Sequence, residues 1–286
     1  MPDLSNLLGF QRHISACTNA VLPGSRLCFR IGPQRVGWVE PALAEALAGF
    51  PAIRTEGRNV TLTDANALPE IARTLSERGF YRWRRETFDV RAEPDGPVLA
   101  RIDRGAIPSF GIRSVGAHVN GIVERADEPH LWIARRARNK QLDPGKLDHI
   151  VAGGVPAGMT PFETLIKEAG EEAAVPPDLA GTARAVGQIG YAMVREEGLR
   201  RDLLHCYDLV LPEDFIPHPE DDEVEAFELW PIRRVMEAVR DTDDFKFNVN
   251  LVLIDLFIRR RLIAGAEADA LRAALAEGTE RAISPA

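Results

Sequence analysis

Three glutamates, Glu168, Glu171 and Glu172, stand at i, i+3 and i+4 in the segment GGVPAGMTPFETLIKEAGEEAAV, residues 153–175. On a helix that spacing gathers them on one face. Phe162, Leu165, Ile166, Ala169 and Ala173 fall on a different, apolar face suited to packing on a sheet. Carboxylates about 6 Å apart repel by roughly 0.7 kcal/mol per pair in water and ~3 kcal/mol at an effective dielectric of 20, so a half-buried cluster calls for a cation. Oxygen-only ligands select a hard ion, Mg²⁺ with Mn²⁺ as the alternative. Such an ion neutralises phosphate charge and lowers the pKa of a bound water, and a carboxylate beside that water can serve as general base. Gly153 and Gly154, just ahead of the helix, let the backbone come close to a ligand. Without those glycines and the apolar stripe, ExxEE would read as an ordinary acidic helix face.

Further candidates surround this segment. Arg135, Arg136, Arg138, Lys140 and Lys146 crowd the stretch before the glycines. Arginine grips phosphate oxygens with two hydrogen bonds and lysine acts as a point charge. Arg135, Arg136 and Lys146 are the expected ligands of a diphosphate; a solvated loop is the alternative for each. The acidic stretch PEDDEVEAFEL offers Glu223 and Glu225 as one more carboxylate from a later loop. Tyr191, Trp38 and Trp132 could stack on an aromatic ligand, with core packing the alternative; Tyr191 is carried forward as a binding residue. His118, His149 and His205 lie in or beside apparent strands without HExxH or triad spacing, which points to structural histidines.

The elements that must position these residues follow from patterning. Residues 4–17 are predicted helical, LCFRIG and VGWVE form strands around Gly32-Pro33, 41–49 is a helix, and AIRTEGRNVTL is a hairpin. Asp64 caps a helix ending before Gly79. The strand FDVRA precedes a loop with Pro94, Gly96 and Pro97. From Gly111 onward, GIRSVGAHVNGIVE and LWIARRA alternate as strands, a loop rich in Lys, Pro and Gly leads to Gly153, and Pro161 opens the glutamate helix. Strands near 183–194 and 203–211, helices at 231–239 and 246–262, and a short amphipathic helix with a loose tail complete the chain. The expected division is an N-terminal α+β domain over 1–111, an α/β domain over 112–265, and a C-terminal helix and tail over 266–286.

Composition narrows the function. The chain has 286 residues, 45% hydrophobic and 27% charged, enough for two domains with packed cores. A net charge of −8 argues against nucleic acid as a partner. Cys17, Cys28 and Cys206 form no CxxC pair, which fits reduced thiols in a cytoplasmic protein. The N-terminus has no basic start followed by an apolar core, so no signal peptide is expected. The most apolar run, Leu251 to Ile258, is too short for a membrane span and contains Asp255.

In register from Gly153, the glutamate segment resembles the Nudix box, G-x5-E-x7-R-E-U-x-E-E-x-G-U, where U is bulky and apolar. Glu168, Glu171 and Glu172 match its metal-binding glutamates and Val175 its final apolar residue. Met159 replaces the first Glu, Lys167 the Arg, Ala174 the Gly, and Ala169 is smaller than usual. Met159 and Lys167 cannot form the ion pair that braces the loop in that family; Glu163, four residues before Lys167, is the expected substitute. FGIRSVGAHVNG, LWIARRARNKQLDPGKLDHIVAGG, YDLVLPEDFIPHPEDDEVEAFEL and FKFNVNLVLIDLFIRR occur in an order similar to one Nudix branch, related to thiamine pyrophosphokinases and fused to them in fungi. Its members carry an extra N-terminal domain of unclear role, which VGWVEPALAEAL resembles. The resemblance implies a Nudix α/β/α sandwich with a mixed sheet behind a small α+β domain. It also implies hydrolysis of thiamine diphosphate, or its oxidised or damaged analogues, to the monophosphate. It favours Glu223 as the later carboxylate. A nucleoside diphosphate derivative such as ADP-ribose is the alternative substrate, and a ligand sensor without turnover is the alternative outside enzymology. The N-terminal domain could shape the substrate pocket or form a homodimer contact.

Overall fold

The structure is a computed structural model that describes residues 4–220 and 222–283. The tail residues 284–286 and Asp221 of the acidic stretch, both used above, lie outside the described residues, as do residues 1–3.

In chain order, helix α1 (Leu4–Cys17) comes first and is followed by β1 (Leu27–Ile31), β2 (Gln34–Val39), α2 (Pro41–Leu47), β3 (Ile53–Glu56), β4 (Asn59–Leu62) and α3 (Leu68–Glu77). The four strands pair in the order β2-β1-β4-β3. Phe29, Val60 and Leu62 of the sheet share one core with Leu43 and Leu47 of α2 and Ile71 and Leu75 of α3. Asp64 caps a short 3-10 turn, Ala65–Ala67, that leads into α3. A separate antiparallel hairpin, β5 (Thr87–Val90) and β6 (Ala100–Asp103), then runs to a single helical turn, α4 (Ile107–Phe110).

The second unit is built on a seven-stranded mixed sheet. Its strands are β7 (Arg113–Val123), β8 (His130–Arg136), β9 (Leu147–Asp148), β10 (Val151–Gly154), β11 (Arg184–Arg195), β12 (Gly198–Val210) and β13 (Val224–Pro231). The main path is β11-β12-β7-β8-β13, with β10 paired to β7 and β9 to β8. Strands β7 and β12 run parallel and the other pairs antiparallel.

Helices cover both faces. On one side α5 (Pro161–Ala173) and α6 (Pro177–Ala180) pack through Leu165, Ala169, Ala173 and Ala180 onto Ala117, Val119, Val151 and Leu209. On the other side lie α1, α7 (Ile232–Asp241), α8 (Val249–Arg259) and α9 (Gly265–Ile283), against Ile122, Leu131, Ile133 and Tyr191. The run Leu251–Ile258 is the buried spine of that layer, where each fully covered leucine or phenylalanine contributes about 1.5–3 kcal/mol. No helix among the described residues is long and apolar enough to cross a membrane.

This is the expected α/β/α sandwich with a mixed sheet behind an α+β unit. Three features differ from the expectation. Helix α1 packs through Phe10, Ile14 and Cys17 into the core of the second unit, not the first. Helix α9 is no loose end: Leu271 and Leu275 are buried in the same core, and the Thr279 hydroxyl accepts a hydrogen bond from Gly190 N–H of β11 at 2.8 Å. The acidic stretch after Asp222 is strand β13 at the sheet edge, where outward charges guard unpaired backbone.

Candidate functional site

Helix α5 carries the glutamates and is fixed at its start by a capping box. The Thr160 hydroxyl accepts Glu163 N–H at 3.2 Å, and the Glu163 carboxylate accepts Thr160 N–H at 2.8 Å. Glu163 is therefore engaged at the cap, and the expected Glu163–Lys167 brace does not form. Lys167 turns the other way, to Glu168 at 3.1 Å and to Glu171. At its far end the helix closes on Ala174, held at φ 52° where the box pattern has glycine.

The three glutamates sit in graded environments. Glu172 is 7% exposed, and its carboxylate accepts the Ala152 N–H of β10 at 3.0 Å. Burial pushes its pKa up to about 8; the Ala152 bond opposes this, and the charges of Glu168, Asp148 and Glu223 add to it. Glu168 is also raised, chiefly by burial, although Lys167 pulls it back. Glu171 is half-exposed and held by Lys167. Gly153 brings the loop against this face: a Cβ there would meet Glu168 Cγ at 2.6 Å. Glu223, at the head of β13, is near enough for its charge to reach Glu168 and Glu172. Burial opposes its ionisation, but the hydrogen bond from Lys140 together with the charges of Lys140, Arg104 and Arg136 outweighs that and lowers its pKa.

A buried carboxylate with one amide partner and three like charges near it, and no cation among its described partners, is short of positive charge. That deficit fits a hard divalent ion held by Glu168 and Glu172, with Glu171 and Glu223 at the margin. The oxygens of the three helix glutamates are not drawn together, since Lys167 engages two of them. Among the described residues the one group whose ligand atoms converge within 4.8 Å is His118, Asp148 and His149. Its chemistry differs. Arg136 at 2.7 Å and Lys246 at 3.4 Å already hold Asp148, so a divalent ion would add charge to a positive surplus. His118 and His149 meet Nδ1 to Nδ1 at 3.1 Å, and burial drives both pKa values down, that of His149 to about 4. They are neutral core groups, as expected for structural histidines.

The remaining expected ligands are dispersed. Arg136 is buried on Asp148, Asp143 O and Leu142 O, and so orders the loop before β9. Arg135 is two and four residues on from Ile133 and Leu131 and shares their face, toward the α7–α9 layer, so it lies across the sheet from α5. There, with Lys146, Glu228, Trp230 and Arg234, it lines a cavity of about 450 Å³. Lys146 donates to Asp243 O. Tyr191 is 0% exposed, its hydroxyl bonded to Asp202 and Asn248, and forms part of that same core layer. The structure thus sets Gly153 against Glu168, with Glu172 and Glu223 within reach of its charge; Arg136, bound to Asp148, reaches Glu223 only through its charge, and Arg135, Lys146 and Tyr191 belong to the opposite side of the sheet.

Residues the sequence did not flag come from the first unit. The β5–β6 hairpin lies across the glycine loop: Thr87 O accepts Ala157 N–H at 2.8 Å and the Asp89 carboxylate accepts Gly158 N–H at 3.2 Å. A Cβ on Gly154 would meet Phe88 Cζ at 2.6 Å and the Arg104 guanidinium carbon at 3.7 Å. The signal available in the sequence was the alternation of TFDV and ARID around a Pro-Gly loop; nothing in it showed which surface that hairpin meets.

A sheet sandwiched by helices, with acidic groups on a helix that follows a glycine loop, defines a hydrolase domain of the Nudix type. The NUDIX domain family model matches residues 115–250, and a domain of unknown function, DUF4743, matches residues 9–114. The chain is similar to two Arabidopsis thaliana proteins, Nudix hydrolase 20, chloroplastic, at 36% identity, and Nudix hydrolase 24, chloroplastic, at 37%. Each match spans 91% of this chain, and 75% and 74% of those proteins respectively. The chain belongs to the Nudix hydrolase family and is a Nudix-type hydrolase of diphosphate bonds, a family that generally uses divalent metal ions. A solved Deinococcus radiodurans structure aligns over 59% of this chain and 97% of its own, at 22% identity and TM-score 0.46.

Proposed function

We propose that this hydrolase converts thiamine diphosphate, or its oxidised or damaged analogues, to the monophosphate, using Mg²⁺ with Mn²⁺ able to substitute. The observation that carries the catalytic half of this reading is Glu172, buried against Ala152 N–H beside Glu168 and short of a cation. The substrate half rests on the resemblance, over nearly the whole chain, of the ordered segments to the thiamine-linked branch. Glu168 and Glu172 would hold the ion, with Glu171 joining once Lys167 lets go. When bound, the ion supplies charge neutralisation on the diphosphate and activation of water. Glu223, kept ionised by Lys140, stands as the carboxylate that accepts a proton during attack on phosphorus. The absence of side chains at Gly153 and Gly154 lets Glu168 and Phe88 pack directly on the loop backbone.

The test is kcat/KM for thiamine diphosphate, its oxidised analogues, ADP-ribose and a panel of damaged nucleotides, each with Mg²⁺ and Mn²⁺. The reading expects the thiamine compounds to lead by at least an order of magnitude. A nucleotide at the head of that ranking would replace the substrate assignment, and ligand binding without turnover on any diphosphate would replace the enzyme with a sensor.

A further inference from the structure

An anionic diphosphate beside a carboxylate cluster needs cations from the protein, and most of those expected in the Nudix unit are engaged with carboxylates or backbone, with Arg138 left exposed at 3.9 Å from Glu225. Arg136 is buried on Asp148. Arg135 and Lys146 line the cavity on the far side of the sheet. Lys140 bonds Glu223, and Lys167 bonds Glu168 and Glu171. The guanidinium groups over the glycine loop come from the other unit: Arg101, held by Asp89 at 3.1 Å, lies at Gly158, and Arg104 lies at Gly154. Arg104 sits 3.7 Å from where a Gly154 Cβ would be, above the Phe88 ring at 5.7 Å, and its charge is felt by Glu223.

Arg104 is also held in place. Its N–H donates to Glu86 O at 2.7 Å, and the following Gly105 N–H donates to the Asp103 carboxylate at 2.8 Å. That carboxylate in turn accepts Arg84 N–H at 2.9 Å. The side chain bonds Glu86 at 2.7 Å yet stays 52% exposed, so guanidinium N–H groups remain accessible at the mouth of the loop.

Resting on the diphosphate reading above, we infer that Arg104 is a substrate-binding residue: the N-terminal unit reaches over Gly154 and gives the diphosphate a guanidinium there. The fork geometry of arginine suits two phosphate oxygens at once. This gives the N-terminal unit a part in the chemistry, with Phe88, which a Gly154 Cβ would strike at 2.6 Å, seating the hairpin on the loop.

The experiment uses the full chain with Mn²⁺ and methylenediphosphonate, a diphosphate that cannot be hydrolysed, followed by titration calorimetry. Alongside it, KM and kcat are measured on whichever diphosphate the wild type turns over. Arg104→Gln is expected to weaken methylenediphosphonate binding and raise KM by about ten- to a hundredfold, the range for a lost charge-assisted hydrogen bond. Mn²⁺ affinity without the diphosphonate stays at the wild-type value, and Arg104→Lys recovers part of the loss. Glu86→Gln separates a binding role from a bracing one: it removes the ion pair but keeps the guanidinium, and leaves KM equal or lower. Unchanged diphosphonate affinity in Arg104→Gln, a wild type that binds no diphosphonate, or a Glu86→Gln variant that reproduces the loss would each overturn the inference. A wild type that binds diphosphonate through Arg104 but hydrolyses nothing would remove the hydrolase reading and leave this one standing.

Discussion

At the scale of single residues, Glu172 shows what the fold imposes on one carboxyl group. Its pKa is about 8 in the folded, metal-free chain against 4.5 for an unperturbed glutamate. A raised pKa means the folded state holds a proton that the unfolded state releases. The associated stability is complete below pH 4.5 and is lost as pH rises through about 8. Glu172→Gln, which keeps the shape without the charge, is therefore expected to gain on the wild type across that window. In chelator the advantage grows to as much as about 4 kcal/mol at pH 8.5. Denaturant unfolding at pH 4.5, 6.5 and 8.5 measures it, and a constant difference across the three would show that Glu172 does not titrate as described. With saturating Mn²⁺ the order is expected to reverse, because only the wild type has the charged ligand. Glu172, Glu168 and Glu171 were legible in the sequence from their spacing taken with the glycines ahead of them and the apolar stripe beside them. Their unequal burial was not, because it depends on how α5 rolls on β10.

At the scale of elements, α5 combines a well-made start with a strained end. Ala174 at φ 52° occupies the left-handed region that costs a residue with a Cβ roughly 1–2 kcal/mol, partly offset by the lower unfolded-state entropy of Ala relative to Gly. Ala174→Gly is expected to stabilise by about 0.5–1 kcal/mol, a rise of a few degrees in Tm by calorimetry; a fall in Tm would show that Ala174 packing outweighs its backbone strain. Patterning found most elements, because β7 alternates, β8 is a short apolar run, and Pro161 marks the helix start. It missed β13, whose glutamates resemble a loop until the strand is seen at the sheet edge. It also paired Glu163 with Lys167, since the i, i+4 rule does not know that the capping box has claimed Glu163 or that Lys167 has two nearer carboxylates.

At the scale of the whole molecule, the N-terminal unit is part of the site's scaffold. Thr87 and Asp89 supply acceptors for Ala157 and Gly158, in a loop whose usual internal ion pair is absent because Met159 and Lys167 stand at those positions. Asp89→Ala is expected to speed amide exchange at Gly158 and its neighbours by about tenfold while amides in the middle of α5 keep wild-type protection. Uniform protection along both would remove the bracing role. Contacts of this kind, between segments some seventy residues apart, leave no periodic trace in one sequence, and the same is true of the separation of Arg135 and Tyr191 from the glutamates. The central claim is that cleavage of a diphosphate runs on a divalent ion held by the α5 glutamates. Phosphorus NMR of thiamine diphosphate incubated with the wild type and with Glu168→Gln, in Mg²⁺ and in chelator, tests it most directly. The account predicts conversion to the monophosphate by wild type with Mg²⁺, a drop of about a hundredfold or more in Glu168→Gln, and none in chelator. Equal cleavage by the variant, or cleavage that persists in chelator, would contradict it.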